Sequence, residues 1–472
     1  MKVRTRYAPS PTGFMHIGNL RTAIFEYLLA RHYDGDFILR IEDTDQNREV
    51  EGAIDFIYNT LELCDFKIDE GPNNPGNYGP YIQSERKDIY KKYALELVEK
   101  GKAYYCFCTE EDIKKDREEC EKHGRAYSYD GKCSRLLKEE IQEKLDKGVP
   151  YVIRQKMPKY GVTLVEDLIY GKIKIDNSLL EDQILLKSDG YPTYNFANVI
   201  DDHLMEITHV VRGKEYLDQS AKYNLLYEAF GWEKPTYIHV AMVLGEDGNK
   251  LSKRNGDASF MDLYDEGYLP SAIVNYLAFL GWSPLSNQEI FTMDELIKEF
   301  NPERISKSSS QYDVMKLRWI NSHYIKKLDR EELYNLTFKH LNEAYDLSDK
   351  TTEWIKDLVC LYQNELKYGK EIVELTKLFF SEYSVDEEAK EFMNNDGVDN
   401  TIKVFYDEVR DIEWTKKNIS NAINNTKEKA GVKGKMLYMP IRIKCSGVMH
   451  GPELDMTLYL LGKDTVINNL MK

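Results

Sequence analysis

The stretch "RYAPSPTGFMHIGNLRTAIFEYLLAR", residues 6–31, completes a short strand begun at Val3, crosses a loop carrying Pro9 and Pro11, and enters an amphipathic run at His16. The two prolines fix φ and remove donors, while Gly13 opens a backbone region closed to other residues, so the loop is held in one shape. Leu20, Ala23, Ile24, Tyr27, Leu28 and Arg31 then follow the i, i+3, i+4, i+7 spacing of a helix. The first turn of that helix offers unpaired backbone N–H groups and the positive end of a dipole, a favourable place for an anion such as a triphosphate. His16 adds a donor there, and Gly18 leaves room for a flat base against the backbone.

Outward from this stretch the same alternation continues. "DGDFILRIEDTD" (34–45) supplies a turn and a short buried strand, and Val50, Ala53, Ile54, Ile57 and Leu61 mark a second helix. Strand, helix, strand, helix predicts a parallel sheet with right-handed crossovers, which binds ligands at the carboxyl ends of its strands. The pattern resumes in "QILLKSDGYPTYNFANVIDD" (183–202), "EITHVVRGKEYL" (206–217) and "TYIHVAMVLGEDGNKLSKRNG" (236–256). The fold expected is therefore α/β: a Rossmann-like parallel-sheet domain in two halves, 1–100 and 183–260, with an inserted α+β domain over 101–182. Beyond it the periodicity turns helical, over 261–330 and then throughout 331–472, as in "EELYNLTFKHLNEAY".

Composition bounds the function. The chain has 472 residues, enough for two to four domains, and its 42% hydrophobic and 31% charged residues suit a chain folded nearly throughout. No run of 18 apolar residues occurs, and "MKVRTRYAPSP" lacks the apolar centre of a secretion signal, so neither a membrane nor export is expected and the cytoplasm is the default. Seven scattered cysteines argue against a disulfide framework. The net charge of −16 disfavours nucleic acid overall, yet a local basic face can still meet phosphates. Lys307, Lys316, Arg318, Lys326, Lys327 and Arg330 form one basic cluster, and Lys416, Lys417, Lys427, Lys429, Lys433, Lys435, Arg442 and Lys444 another.

A second motif changes the weight of the first. In "GEDGNKLSKRNG" (245–256), Lys250, Lys253 and Arg254 sit between glycines after a strand of the same expected sheet. An isolated basic turn is usually only solvated. Here its lysines could close over phosphates whose charge grows during group transfer.

The two motifs, "HIGN" and "KLSKR", resemble the HIGH and KMSKS signatures of class I aminoacyl-tRNA synthetases. "APSPTGFMHIGNLRTA", "LRIEDTD", "GPYIQSER", "YDGKC", "SDGYPTYNFANVIDDHLMEITHVVRG", "LPSAIVNYLAFLGW" and "SKSSSQYDVMKLRWIN" narrow the resemblance to the bacterial glutamyl-tRNA synthetase family. It is strong from residue 3 to about 330 and fainter to the end. Asn19 stands for the second histidine of HIGH and Arg254 for the last serine of KMSKS.

The resemblance implies a glutamate–tRNA ligase using ATP, with Mg²⁺ carried on the phosphates, in which His16 and Lys253 stabilise the transition state. It implies that His16, Gly18, Asn19, Glu215, Lys250 and Lys253 bind ATP, with the backbone near Val243 and Leu244 against adenine. For L-glutamate it implies Arg6, Ala8, Ser10, Glu42, Tyr194, Asn198 and Arg212. A guanidinium suits carboxylates because it forks two bonds and keeps its charge. Region 101–182 would bind the acceptor end, 261–330 the stem and 331–472 the anticodon of tRNA-Glu, with tRNA-Gln left open as a second substrate. A monomer is expected.

Cys106, Cys108 and Cys133 match three zinc-ligand positions of some family members, but Arg135 stands at the fourth and cannot ligate; Cys120 or His123 could substitute geometrically, at a spacing foreign to the family, so a degenerate site of free thiols is expected and a structural zinc is disfavoured though open. Two other readings remain: an enzyme glutamylating a modified tRNA base, which lacks a long helical carboxyl region, and a catalytically silent RNA-binding relative, which would have lost the lysines or pocket arginines.

Overall fold

In the computed structural model residues 2–11, 13, 15–45, 50–124, 126–249, 251 and 259–472 are described. The chain begins with β1 (Arg4–Tyr7), α1 (Ile17–His32), β2 (Asp36–Leu39), α2 (Ala53–Leu63) and α3 (Lys87–Glu99). There follow β3 (Ala103–Cys106), α4 (Glu110–Lys122), α5 (Lys138–Asp146), β4 (Val152–Gln155), β5 (Val162–Asp167), β6 (Gly171–Asp176) and β7 (Ile184–Leu186). Next come α6 (Tyr194–Leu204), β8 (His209–Gly213), α7 (Ser220–Phe230), β9 (Thr236–Val240), β10 (Val243–Leu244) and, later, β11 (Ser310–Gln311).

The chain divides into two units, Met1–Asp262 with Ile273–Asp313, and Leu263–Ala272 with Val314–Lys472. In the first, β1 pairs parallel with β2 and β8 parallel with β9. The two ladders meet where Thr208 N donates to the Arg4 carbonyl (3.0 Å) and Arg4 N to Thr208 Oγ1 (2.8 Å). Sequence-distant strands thus lie side by side in the order β2, β1, β8, β9, the parallel arrangement expected of βαβ units. β5 joins β9 at Asp167 and carries the antiparallel partner β6, so one hairpin from region 101–182 extends this sheet. A separate antiparallel sheet runs β3, β4, β7. Tyr90, Ile153, Leu186, Phe196, Ile200, Tyr223 and Leu226 form a core between these elements.

Helix α1 is buried on nearly every side, from Ile17 through Ala30, with Phe25 against Phe300 at 5.9 Å. A helix with no solvent face buries whatever charge it carries. Arg21 and Glu26 are its buried charges.

The second unit is helical after residue 330, with no strand among its described residues there. Ile325, Leu333, Leu341, Leu358 and Val359 form one core, and Phe405, Ile419, Ile441, Leu458 and Val466 another. Segment 263–272 is held to it by backbone. Gly369 N donates to the Gly267 carbonyl at 2.9 Å, and a Cβ on Gly267 (φ +86°) would lie 2.6 Å from Gly369 Cα. Asn321, from the "RWIN" motif, accepts from Leu269 N and donates to the Lys367 carbonyl.

Candidate active site

A cavity of about 690 Å³ opens at the carboxyl ends of the parallel strands, the place such sheets offer ligands. The first motif contributes Arg6, Ala8, Ser10, His16, Gly18 and Asn19 to its wall. Glu42 beyond β2, Tyr194 opening α6, Arg212 in β8 and Glu215 just after it complete the set brought together. The loop is shaped as its prolines and glycine demand: Gly13 has φ +138°, and Glu42 N donates to the Pro9 carbonyl at 3.0 Å, tying β2's exit to the loop. At the start of α1, a Cβ on Gly18 would meet nothing within 4 Å, so the space beside its backbone is open.

The second motif reaches the same place through Leu251 within it and Ser259 just after it. Leu251 lines the cavity and its N–H donates to the Val243 carbonyl, while Ser259 pairs with His16 in an antiparallel bridge. Lys250, Lys253 and Arg254 lie outside the described residues. Val243 lines the cavity; Leu244, beside it in β10, does not.

Charge is distributed unevenly around this wall. Arg6 is saturated on two sides: its Nε donates to Asp202 Oδ1 and its Nη1 to Glu26 Oε1, both at 3.0 Å. Arg40 donates to Asp202 (2.8 Å) and to Glu42 Oε1 (3.0 Å), and Gln83 approaches the same Glu42 oxygen. Burial pushes the Asp202 carboxyl up, but Arg6 and Arg40 outweigh it and leave it below the usual carboxylate value. Burial wins at Glu42 and at Glu26, both raised. Arg212 differs from all of these. It is 6% exposed, its Nε and Nη1 have no hydrogen-bond partner among the described residues, and it stacks over Tyr223 at 4.4 Å. A buried cation without a counter-ion is costly unless something arrives to pair with it.

Asn198 is buried one turn along α6, behind the residues that line the cavity; its Nδ2 donates to the Tyr194 carbonyl at 2.9 Å, and its side chain also bonds Tyr223, the ring under Arg212. Conversely the wall includes Glu26, Arg21, Thr22, Tyr216 and Met242, which the sequence reading passed over. Arg21 donates to the carbonyls of Ala241 (2.6 Å) and Leu280 (2.9 Å), and burial lowers it to about 10.

The cysteines form a second cluster. The sulfurs of Cys106, Cys108 and Cys133 lie within 4.8 Å of one another. Arg135 is turned out to Asp130, as a non-ligand must be. The Tyr129 hydroxyl, however, sits 3.2 Å from Cys106 Sγ and 3.4 Å from Cys108 Sγ. Its hydrogen bonds and that from Cys133, the strongest influence, pull the Cys106 thiol down to about 4. The three sulfurs supply three of the four donors a tetrahedral zinc needs, and the Tyr129 phenol oxygen is the polar atom placed beside them.

Of the basic clusters, several members are committed within the second unit. Arg330 pairs with Glu353 and Asp357, Lys416 with Glu453, Lys429 with Glu408, and Arg442 is buried against the Pro452 carbonyl. Lys316 instead lies 4.1 Å over the half-exposed Trp319 ring.

This geometry agrees with what the chain matches. The profile of the catalytic domain of class I tRNA synthetases (E and Q) covers residues 2–319, and that of an anticodon binding domain covers 332–472. The fold and cavity are those of a class I aminoacyl-tRNA synthetase. Among curated relatives, the glutamate–tRNA ligase of Clostridium novyi is 50% identical over 456 residues, 96% of this chain and 93% of that one, and that of Geobacillus thermodenitrificans 46% over 477 residues, 99% and 98%. A glutamate tRNA ligase from Elizabethkingia meningosepticum, solved in complex with its amino acid, superposes with a TM-score of 0.90 at 35% identity, covering 100% of this chain and 99% of that one. The chain belongs to the glutamate–tRNA ligase family.

Proposed function

We propose that the chain activates L-glutamate with ATP to glutamyl-adenylate and transfers the glutamyl group to the 3′ end of tRNA-Glu. The observation that carries this reading is Arg212, a buried cation with two unpaired nitrogens, in one cavity with Glu42 and the amino terminus of α1. Arg212 takes a carboxylate of the substrate and Glu42 faces its ammonium. The open face at Gly18 and the strand end at Val243 accept the adenine, and Glu215 the ribose hydroxyls. The substrate carboxylate attacks the α-phosphorus and pyrophosphate leaves, after which a ribose hydroxyl of the terminal adenosine of tRNA takes the glutamyl group. His16, Lys250, Lys253 and the first N–H groups of α1 stabilise charge on the phosphorus oxygens, with Mg²⁺ arriving on the ATP. No covalent enzyme intermediate is needed, because placement and charge stabilisation suffice.

The proposed division of labour is 1–100 with 183–260 for catalysis, 101–182 for the acceptor end, 261–330 for the stem and 331–472 for the anticodon. The enzyme acts as a cytoplasmic monomer. Among the described residues no helix is long and apolar enough to cross a membrane. Cys106, Cys108 and Cys133 with Tyr129 would hold a zinc ion, which would tie the end of β3 to the segment bearing Tyr129 and Cys133 and supply rigidity to that region. The long helical carboxyl region weighs against an enzyme acting on a modified base, and the retained pocket arginines weigh against a silent relative.

The test is a charging assay with labelled glutamate, ATP and purified tRNA-Glu and tRNA-Gln. Ligation to tRNA-Glu supports the reading, and its absence with both tRNAs overturns it. Ligation to tRNA-Gln as well would widen the substrate range.

A further inference from the structure

Glu26 is the one acidic side chain of the cavity wall that the proposed mechanism does not use. It lies inside α1, 1% exposed, and lines the cavity beside Arg6. Its Oε1 accepts from Arg6 Nη1 at 3.0 Å, while its Oε2 is buried with no hydrogen-bond partner among the described residues. An ionised carboxylate with one oxygen unpaired in such a place is expensive, and a merely structural partner for Arg6 would not leave it so. Arg6 is already neutralised by Asp202, which Arg40 shares.

We infer that Glu26 is a specificity-determining residue of the amino-acid pocket, its carboxyl group acting in the neutral form: Oε1 accepts from Arg6 and the Oε2 hydroxyl donates to a substrate carboxylate. The inference rests on the glutamate pocket proposed above. The charged and titratable groups around Glu26 are Arg6 and Tyr7 from β1, Arg40 beyond β2, and Asp202 from α6. Burial raises the Glu26 carboxyl well above the ordinary value, with Asp202 adding to the rise and Arg6 and Arg40 opposing it. Once ionised, Glu26 would repel the substrate carboxylate and compete with it for Arg6. Binding should therefore be tight below the pKa of the carboxyl group and weaken as pH rises through it. The position sorts ligands by whether they present an acceptor to that hydroxyl, a discrimination an unpaired buried donor enforces strongly.

The experiment is calorimetric titration of L-glutamate into wild type, Glu26→Gln, Glu26→Ala and Arg212→Lys over a pH series rising from the acidic side, with Glu26→Gln as the control for titration of the substrate ammonium. With it go the KM for glutamate and kcat of charging. Wild-type Kd is expected to rise with pH. Glu26→Gln keeps a donor that cannot ionise and should flatten that rise. Glu26→Ala should raise Kd and KM roughly tenfold with kcat changed about twofold or less, the loss of one hydrogen bond. If wild type and Glu26→Gln follow the same pH course, or Glu26→Ala binds as tightly as wild type, the inference is overturned. If Glu26→Ala does not fold, the pH course of Glu26→Gln decides. Arg212→Lys separates the two readings: unchanged affinity there removes the pocket itself, whereas weakened affinity there with no Glu26 effect removes only the role of Glu26.

Discussion

His16 and Ser259 pair backbone to backbone in an antiparallel bridge, although 243 positions of sequence separate them. That bridge sets Ser259, which follows the "KLSKR" segment, at the threshold of α1, and Leu251, within the segment, lies on the cavity wall.

Lys253→Ala should slow glutamyl-adenylate formation by about 10²- to 10³-fold, the scale of losing one preorganised charge at a developing oxyanion. Pyrophosphate exchange measures this, run with tRNA present, and circular dichroism should show the fold unchanged. A rate within a few-fold of wild type would take the loop out of the chemistry.

Arg212→Lys keeps the charge but removes the fork. The glutamate KM of charging should rise roughly tenfold or more, because an ammonium cannot make the paired bonds of a guanidinium or stack flat on Tyr223. The KM for ATP should stay within about twofold of wild type, since the change is at the amino-acid end.

Glu26 also makes a stability prediction. Its folded pKa lies above its unfolded one, so between the two values only the folded state holds the proton and stability falls as pH rises. Glu26→Gln removes that titration. Thermal melts should show the variant gaining on wild type as pH rises above the ordinary carboxylate range, whereas a constant difference there would mean Glu26 is ionised in the folded protein.

The cysteine cluster predicts metal content. Protein purified without chelator should carry about one zinc per chain, the number a single four-donor site holds, and both Cys133→Ser and Tyr129→Phe should lower it. Equal zinc in wild type and Cys133→Ser would place the metal elsewhere.

Much of this molecule can be read from residues 6–31 and their echoes. Pro9, Pro11 and Gly13 announce a rigid loop, and the apolar spacing of α1 announces the helix, because both are local consequences of backbone sterics and periodicity. The parallel direction of neighbouring strands follows from the alternation, whereas their order, β2, β1, β8, β9, is set by tertiary pairing. Glu26 escaped because it lies off the stripe Leu20, Ala23, Ile24, Tyr27, Leu28, where one-sided amphipathicity would make it a solvated residue. The helix is instead buried all round, as Ile17, Phe25, Leu29 and Ala30 on its other faces allow. Tyr129 escaped for a related reason: its hydroxyl reaches the sulfurs through tertiary folding, and the candidates for the fourth position along the chain are Arg135, Cys120 and His123.

The most direct measurement is a crystal structure with a non-hydrolysable glutamyl-adenylate analogue. The proposed pocket requires the adenine against Gly18 and Val243, and a glutamyl carboxylate on Arg212 and on the Glu26 carboxyl. An analogue seated away from Arg212, or an adenine remote from the His16–Ser259 bridge, would contradict it.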